Sequence, residues 1–204
     1  MTNCCNHRKT SKFCKRIDGK VFKLPRKFTK DKCKRPRGFT MKSSCSPYKF
    51  CKKAVAVLAP NKDNITGEIY FTPSIGGIKI KYNINGLKNG KHGFHIHEYG
   101  DLTDGCNSAC SHFNPDNKKH GGLNSSERHA GDLGNIETKQ NKTRGTLFCK
   151  DLSLQPENKY NIIGRMIIIH EDEDDLGKGG NEESLKTGNA GKRIACGVIG
   201  IMKY

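Results

Sequence analysis

Residues 54–204 predict an all-β domain, an antiparallel sandwich or barrel of about eight short strands. Three observations carry that prediction: apolar and polar residues alternate with period two, Asn-Gly pairs punctuate the alternation, and no long amphipathic helical pattern interrupts it. "AVAVL" (54–58) comes first. In "ITGEIYFTP", Ile65, Gly67, Ile69 and Phe71 alternate with Thr66, Glu68, Tyr70 and Thr72. In "IKIKYNIN", Ile78, Ile80, Tyr82 and Ile84 alternate with lysine and asparagine, as in a half-buried strand. Asn85-Gly86 and Asn89-Gly90 then supply turns. Further strands are expected at "GFHIHEY" (93–99), "LGNIETK" (133–139), "TRGTLFC" (143–149), "NIIGRMIIIH" (161–170) and "ACGVIGIMK" (195–203). Residues 100–131 and 171–194 show no strand pattern and are rich in Gly, Asp, Asn and His; connections this long in a compact domain usually carry function.

Charge divides the chain. The net charge is +17 over 204 residues, yet residues 1–53 hold 18 Lys/Arg against only Asp18 and Asp31, leaving the remainder nearly neutral. This reads as a basic, cysteine-containing, disordered extension (1–52) ahead of a globular domain (53–204). Basic residues interleaved with Phe22, Phe28 and Phe39 offer a sharper alternative, electrostatic binding to nucleic acid or another anionic surface. The extension has no C-x-x-C pair, which weakens a zinc-finger reading. No secretory segment is visible, and the longest apolar stretch (162–169) is too short to span a bilayer and contains Arg165. A soluble cytoplasmic protein is the expectation, with packaging in a virus particle or the nucleus as the alternative suggested by the basic extension.

Seven of the eight histidines fall within residues 92–170. In "GFHIHEYGD" the pleat sends Phe94 and Ile96 to one face and His95 and His97 to the other, so the two imidazoles form a two-point chelate. The first long loop adds His112, His120, His129 and Asp132, and His170 opens the second. Three histidines and an aspartate suit a closed zinc site, and a strand-borne pair with a further histidine suits copper.

At these residues the chain resembles the copper–zinc superoxide dismutases. "GFHIHEYGD", "HFNP…KHGG…RHAGDLGN", "IIGR" and "HEDEDDLGKGGNEESLKTGNAGKRIACGVIGI" follow that family's signatures in order and spacing over roughly residues 53–204. The resemblance implies a Greek-key, immunoglobulin-like sandwich or barrel with two functional loops, and one copper and one zinc ion per subunit. Copper would be held by His95, His97, His112 and His170, and zinc by His112, His120, His129 and Asp132, with His112 bridging. Asp174 matches the carboxylate linking His95 to His120, and His92 a supporting histidine. The implied reaction dismutates superoxide to dioxygen and hydrogen peroxide: copper alternates between oxidation states while His112 accepts and returns a proton. Arg193 matches the residue that docks the anion, Thr187 a channel wall, and Glu182, Glu183 and Lys186 the loop that steers it. Asp172, in the acidic run 171–175, stands where some members carry lysine, which implies weaker long-range attraction of superoxide.

Cys106 and Cys196 match the family's disulfide, which would contribute roughly 4–5 kcal/mol in the chain-entropy model. Cys110 lies where it could exchange with Cys106, and Cys149 reads as a buried strand residue. Val55, Val57, Ile163, Gly164, Gly200 and Ile201 match the family's homodimer contact. Two rival functions stand beside this one. A copper chaperone would carry an M-x-C-x-x-C motif where this chain begins "MTNCC". A non-catalytic metal-binding homologue with a nucleic-acid-binding tail would not need the full ligand set, Asp174 and Arg193.

Overall fold

Alternation becomes strand where the sequence shows it. A computed structural model describes residues 2–59 and 63–203; the outermost residues of both predicted segments, Met1 and Tyr204, lie outside the described residues, as do positions 60–62. The extension contributes β1 (Thr2–Asn3), β2 (Phe13–Lys15) and β3 (Val21–Lys23), then helix α1 (Gly38–Cys45). The main domain contributes β4 (Ala54–Leu58), β5 (Thr66–Ser74), β6 (Gly77–Asn85), β7 (Gly90–His97), β8 (Asp132–Thr138), β9 (Thr143–Cys149), β10 (Met166–His170), helix α2 (Ser184–Thr187), β11 (Arg193–Val198) and β12 (Gly200–Ile201).

These last nine strands form two antiparallel sheets, ordered β11-β10-β7-β8 and β12-β4-β5-β6-β9. Between them lies one core, in which Ile69, Phe71, Ile80, Phe94, Ile96, Ile136, Ile167 and Ile169 are fully buried. Lys79 and Lys81 face solvent on the same strand that buries Ile78 and Ile80. The two sheets remain separately hydrogen-bonded, so the architecture is an open sandwich.

Two predicted strands are interrupted. The segment 195–203 splits at buried Ile199: β11 pairs with β10, and β12 crosses to pair with β4 in the other sheet. The segment 161–170 is strand only from Met166, because Gly164 takes φ 84° and Arg165 turns inward. The Arg165 guanidinium lies 3.5 Å over the Phe113 ring and donates to the Glu98 and Asn161 carbonyls.

The extension expected to be disordered is an ordered, cross-linked module over its described residues. Cys4–Cys14, Cys5–Cys51 and Cys33–Cys45 are disulfide-bonded, and Cys4, Cys14 and Leu24 form a small core with Phe22. A composition argument looks for apolar burial; here covalent loops replace it, and closing 46 residues between Cys5 and Cys51 removes about 4 kcal/mol of unfolded-state entropy. Arg16, 5% exposed, is packed between Phe22 and Phe50 and bonded to Asp18 and the Ser46 carbonyl. The Met202 amide donates to the Lys53 carbonyl, tying the module's end to that of the sandwich.

Candidate metal centre

Strand register assembles the site. On β7, Phe94 and Ile96 enter the core, so His95 and His97 point to the opposite face, where the long loops cover them to 0% and 1% exposure. Pairing places Asp132 of β8 opposite His95, His112 opposite His97, and Arg193 of β11 opposite His170 of β10. A cycle of three backbone hydrogen bonds fastens the ligand-bearing segments. Ile96 N–H donates to Gly131 O (2.9 Å), Gly131 N–H to Phe113 O (2.9 Å), and Phe113 N–H to Ile96 O (2.8 Å). Gly131 has no room for a side chain, since a Cβ would strike the Ile96 carbonyl.

Two clusters result, sharing one residue: His95, His97, His112 and His170, and His112, His120, His129 and Asp132. The ring tautomers follow from their partners, because a carbonyl or carboxylate can only accept. His97 Nδ1–H donates to Cys110 O (2.8 Å) and His170 Nδ1–H to Gly191 O (3.1 Å), so both Nε2 lone pairs point at each other across 3.4 Å. His95 Nε2–H donates to Asp174 Oδ2 (2.8 Å) and His120 Nε2–H to Asp174 Oδ1 (2.8 Å), which frees Nδ1 on each. His95 Nδ1, His112 Nε2 and His120 Nδ1 are buried with no hydrogen-bond partner. His120 Nδ1 lies 3.1 Å from Asp132 Oδ1, a separation that calls for a proton or a cation between them. Facing lone pairs and orphaned buried nitrogens are unfavourable among themselves and fit two cations. Nitrogen-only donors suit copper; three imidazoles and a carboxylate suit zinc.

Protonation agrees with that fit at His95, His97, His112 and His170, while at His120 a proton takes the place a cation would fill. Burial pushes His95 and His97 down, carries His112 to about 3 with His95 beside it, and carries His170 to about 4 against the Gly191 carbonyl. Burial also opposes charge on His120, yet its bonds to Asp132 and Asp174 outweigh it and raise the imidazole to about 9. Burial raises the Asp132 and Asp174 carboxyls, but the bonds from the surrounding imidazoles hold both well below the usual carboxylate range. At neutral pH the site thus presents neutral imidazoles at one cluster and ionised carboxylates beside the other.

The remaining predicted residues divide. His92 faces the His170, Glu171 and Lys88 carbonyls through its ring nitrogens and sends none into either cluster. Arg193 donates to the Cys106, Asn107 and Cys110 carbonyls (2.8, 2.9 and 2.5 Å), in the loop that the Cys106–Cys196 disulfide anchors. Arg193, Thr187, Glu183 and Lys186 line a cavity of about 830 Å³ opening onto His97, His112 and His170. Glu182 is not among its lining residues and pairs with Lys186 (2.6 Å). The acidic run 171–175 serves several ends: Asp174 bridges the histidines, Glu173 pairs with Lys91 (2.6 Å), and Asp175 accepts from Ser184 and Asn189. None of the five lines that cavity. Cys110 is free and exposed, Cys149 free and buried.

Two supporting residues were not singled out from the sequence. Asn135 exchanges two 2.8 Å hydrogen bonds with the Asp174 backbone. Arg128, 6% exposed, donates to the His129 and Ala130 carbonyls and pairs with Asp151. Both sit inside the quoted "RHAGDLGN", but only the fold shows what they hold.

Fold and site together define a β-sandwich metalloprotein with two adjoining histidine-rich centres sharing one imidazole. The family model for copper/zinc superoxide dismutase matches residues 65–199. The Cu-Zn superoxide dismutase of Paramecium bursaria Chlorella virus 1 is 53% identical over 153 residues, covering 74% of this chain and 81% of that protein. A Xenopus laevis Cu-Zn superoxide dismutase is 50% identical over 149 residues, covering 72% and 97%. Among solved structures, a crystal structure titled as the clock protein EA4 superposes with TM-score 0.71 at 44% identity, covering 82% of this chain and all of that one. The chain belongs to the copper/zinc superoxide dismutase family.

Proposed function

We propose that this chain dismutates superoxide at a copper ion held by His95, His97, His112 and His170, next to a zinc ion held by His112, His120, His129 and Asp132. The observation that carries the reading is the convergence of orphaned and mutually facing imidazole nitrogens on two shared points. Copper supplies one-electron exchange with superoxide, and zinc supplies fixed charge without redox chemistry. The chain's own residues do the rest. Arg193 offers the cation that receives the anionic substrate, held in place by three carbonyls of the disulfide-anchored loop. Thr187, bonded to Glu183 (2.6 Å), narrows the same cavity. His112 Nε2, without a hydrogen-bond partner, is where a proton can be held and given up. Asp174 locks the His95 and His120 tautomers so that their Nδ1 atoms face inward.

The test is superoxide decay measured against quantified bound metal. Decay should rise in proportion to copper and collapse in His97→Ala at full zinc occupancy. Slow decay at full copper occupancy would reject the enzyme and favour metal carriage.

Three further assignments belong to the same reading. A homodimer is supported by Val57 and Ile201, 58% and 55% exposed on the paired strands β4 and β12. Nucleic-acid attachment through residues 1–52 is supported by their charge. No helix among the described residues is long and apolar enough to cross a membrane. An oxidising location, rather than a reducing cytosol, is supported by eight cysteines paired in four disulfides.

A further inference from the structure

Where the module meets the end of the sandwich lies a cleft of about 750 Å³. Its lining includes Lys30, Lys34, Lys42, Lys49, Lys52 and Lys53, against Asp31 as its one acid. Asp31 sits 3.4 Å from Lys34 and is largely exposed. The module's other acid, Asp18, is committed to Arg16. Lys42, Lys52 and Lys53 form no ion pair among the described residues. The lysines also crowd one another: burial, and then the charge of Lys53, hold the Lys30 ammonium below its usual range while it donates to the Cys5 carbonyl (2.8 Å). Packing like charges around a partly enclosed space costs stability that a polyanion would restore. The walls are firm, since Cys33–Cys45 and Cys5–Cys51 cross-link them and Tyr48 lines them.

One further residue sets the chemistry. Phe39, 89% exposed on the first turn of α1, is one helical turn before Lys42 and so shares its side of the helix. Phe39 does not line the cleft, but an uncovered aromatic ring one helical turn from a cleft lysine is the pairing that stacks an unpaired base while cations track its phosphates; a duplex offers no free base face. We propose that this cleft, with Phe39 at its rim, is a binding site for single-stranded nucleic acid. This rests on the nucleic-acid reading of residues 1–52 and names its location and substrate form.

The experiment uses full-length, disulfide-intact protein and the anisotropy of fluorescein-labelled oligothymidylate between about 50 and 200 mM salt. The triple variant Lys42→Gln/Lys49→Gln/Lys52→Gln should bind at least about tenfold more weakly and flatten the log–log salt slope by about 2. The charge-matched triple Lys79→Gln/Lys81→Gln/Lys142→Gln, placed on the sandwich, should retain binding. Phe39→Ala should lose about fivefold or more on oligothymidylate and nothing on inorganic polyphosphate. Unchanged superoxide decay and free-thiol count certify that each variant is folded. Equal losses in both triples would overturn the cleft in favour of net charge alone, and an inert Phe39→Ala would overturn single-strand selection. Wild-type binding that the cleft triple leaves intact would overturn the cleft but keep the nucleic-acid reading. No wild-type binding at low salt would overturn both.

Discussion

At the scale of single residues, the site depends on groups that never face a metal. Asp174 is useful only while its carboxylate is aimed between His95 and His120, and its backbone is aimed by Asn135. Asn135→Ala would remove two hydrogen bonds and leave the part-buried Asp174 amide and carbonyl without that partner. Competition with a chelator should show copper and zinc affinity falling by about tenfold, less than in Asp174→Ala, which loses both histidine bonds. Equal affinity to wild type would show that the Asp174 loop holds itself. The histidines also set a pH profile for metal-free protein. His170 and His112, held at about 4 and about 3 when folded, protonate first in the unfolded chain, so their contribution is lost as pH falls below 6.5. His120, raised to about 9, has the opposite sign: its contribution is complete below 6.5 and lost as pH climbs toward 9. Melting of the chelated protein should therefore be highest near pH 6.5 and decline both ways. A melting temperature still rising at pH 9 would contradict the His120 assignment.

At the scale of elements, precision comes from backbone rather than side chains. The cycle through Ile96, Phe113 and Gly131 joins β7 to the interior and the far end of the first long loop, each member lying next to a proposed ligand. Gly131→Ala should push β8 away from β7 at the Ile96 carbonyl, lowering the melting temperature and weakening zinc binding by about tenfold or more. Unchanged zinc affinity with a lowered melting temperature would assign the cycle to stability alone. This element scale also marks how far the sequence could be read. Period-two alternation exposed strands such as β5 and β6, and the pleat of "GFHIH" separated core residues from imidazoles, because both properties are local. The splits at Ile199 and Gly164 were hidden, since isoleucine runs on either side look like continuous strand and only sheet-to-sheet packing bends them. Asn135 and Arg128 were hidden for a related reason: a polar residue within a ligand motif gives no sign of which distant backbone it will hold. Hydropathy does not register the covalent cross-links of the module, so its pattern alone gives no sign of them.

At the scale of the whole molecule, two kinds of stabilisation meet at Lys53, a disulfide-knit basic module on one side and a sandwich core on the other. That junction adjoins β4, whose Val57 lies with Ile201 of β12 on the exposed surface proposed to pair two copies. Double substitution Val57→Asp/Ile201→Asp places carboxylates in that surface, and sedimentation should then find half the wild-type mass with the four disulfides intact. Wild type sedimenting as a monomer would reject the interface. Charge adds a second, signed expectation. Residues 1–53 carry 18 basic residues against two acids, and they end two positions before Val55, so dimerisation brings two strongly cationic modules toward each other. Their repulsion is screened over about 10 Å at 0.1 M salt. Added salt should therefore tighten the dimer, whereas it loosens any nucleic acid held by the same lysines through counterion release. Measured on one preparation, dimer dissociation and oligonucleotide binding should respond to salt with opposite slopes. Parallel slopes would mean that the modules point away from the dimer contact and that the two assemblies form independently.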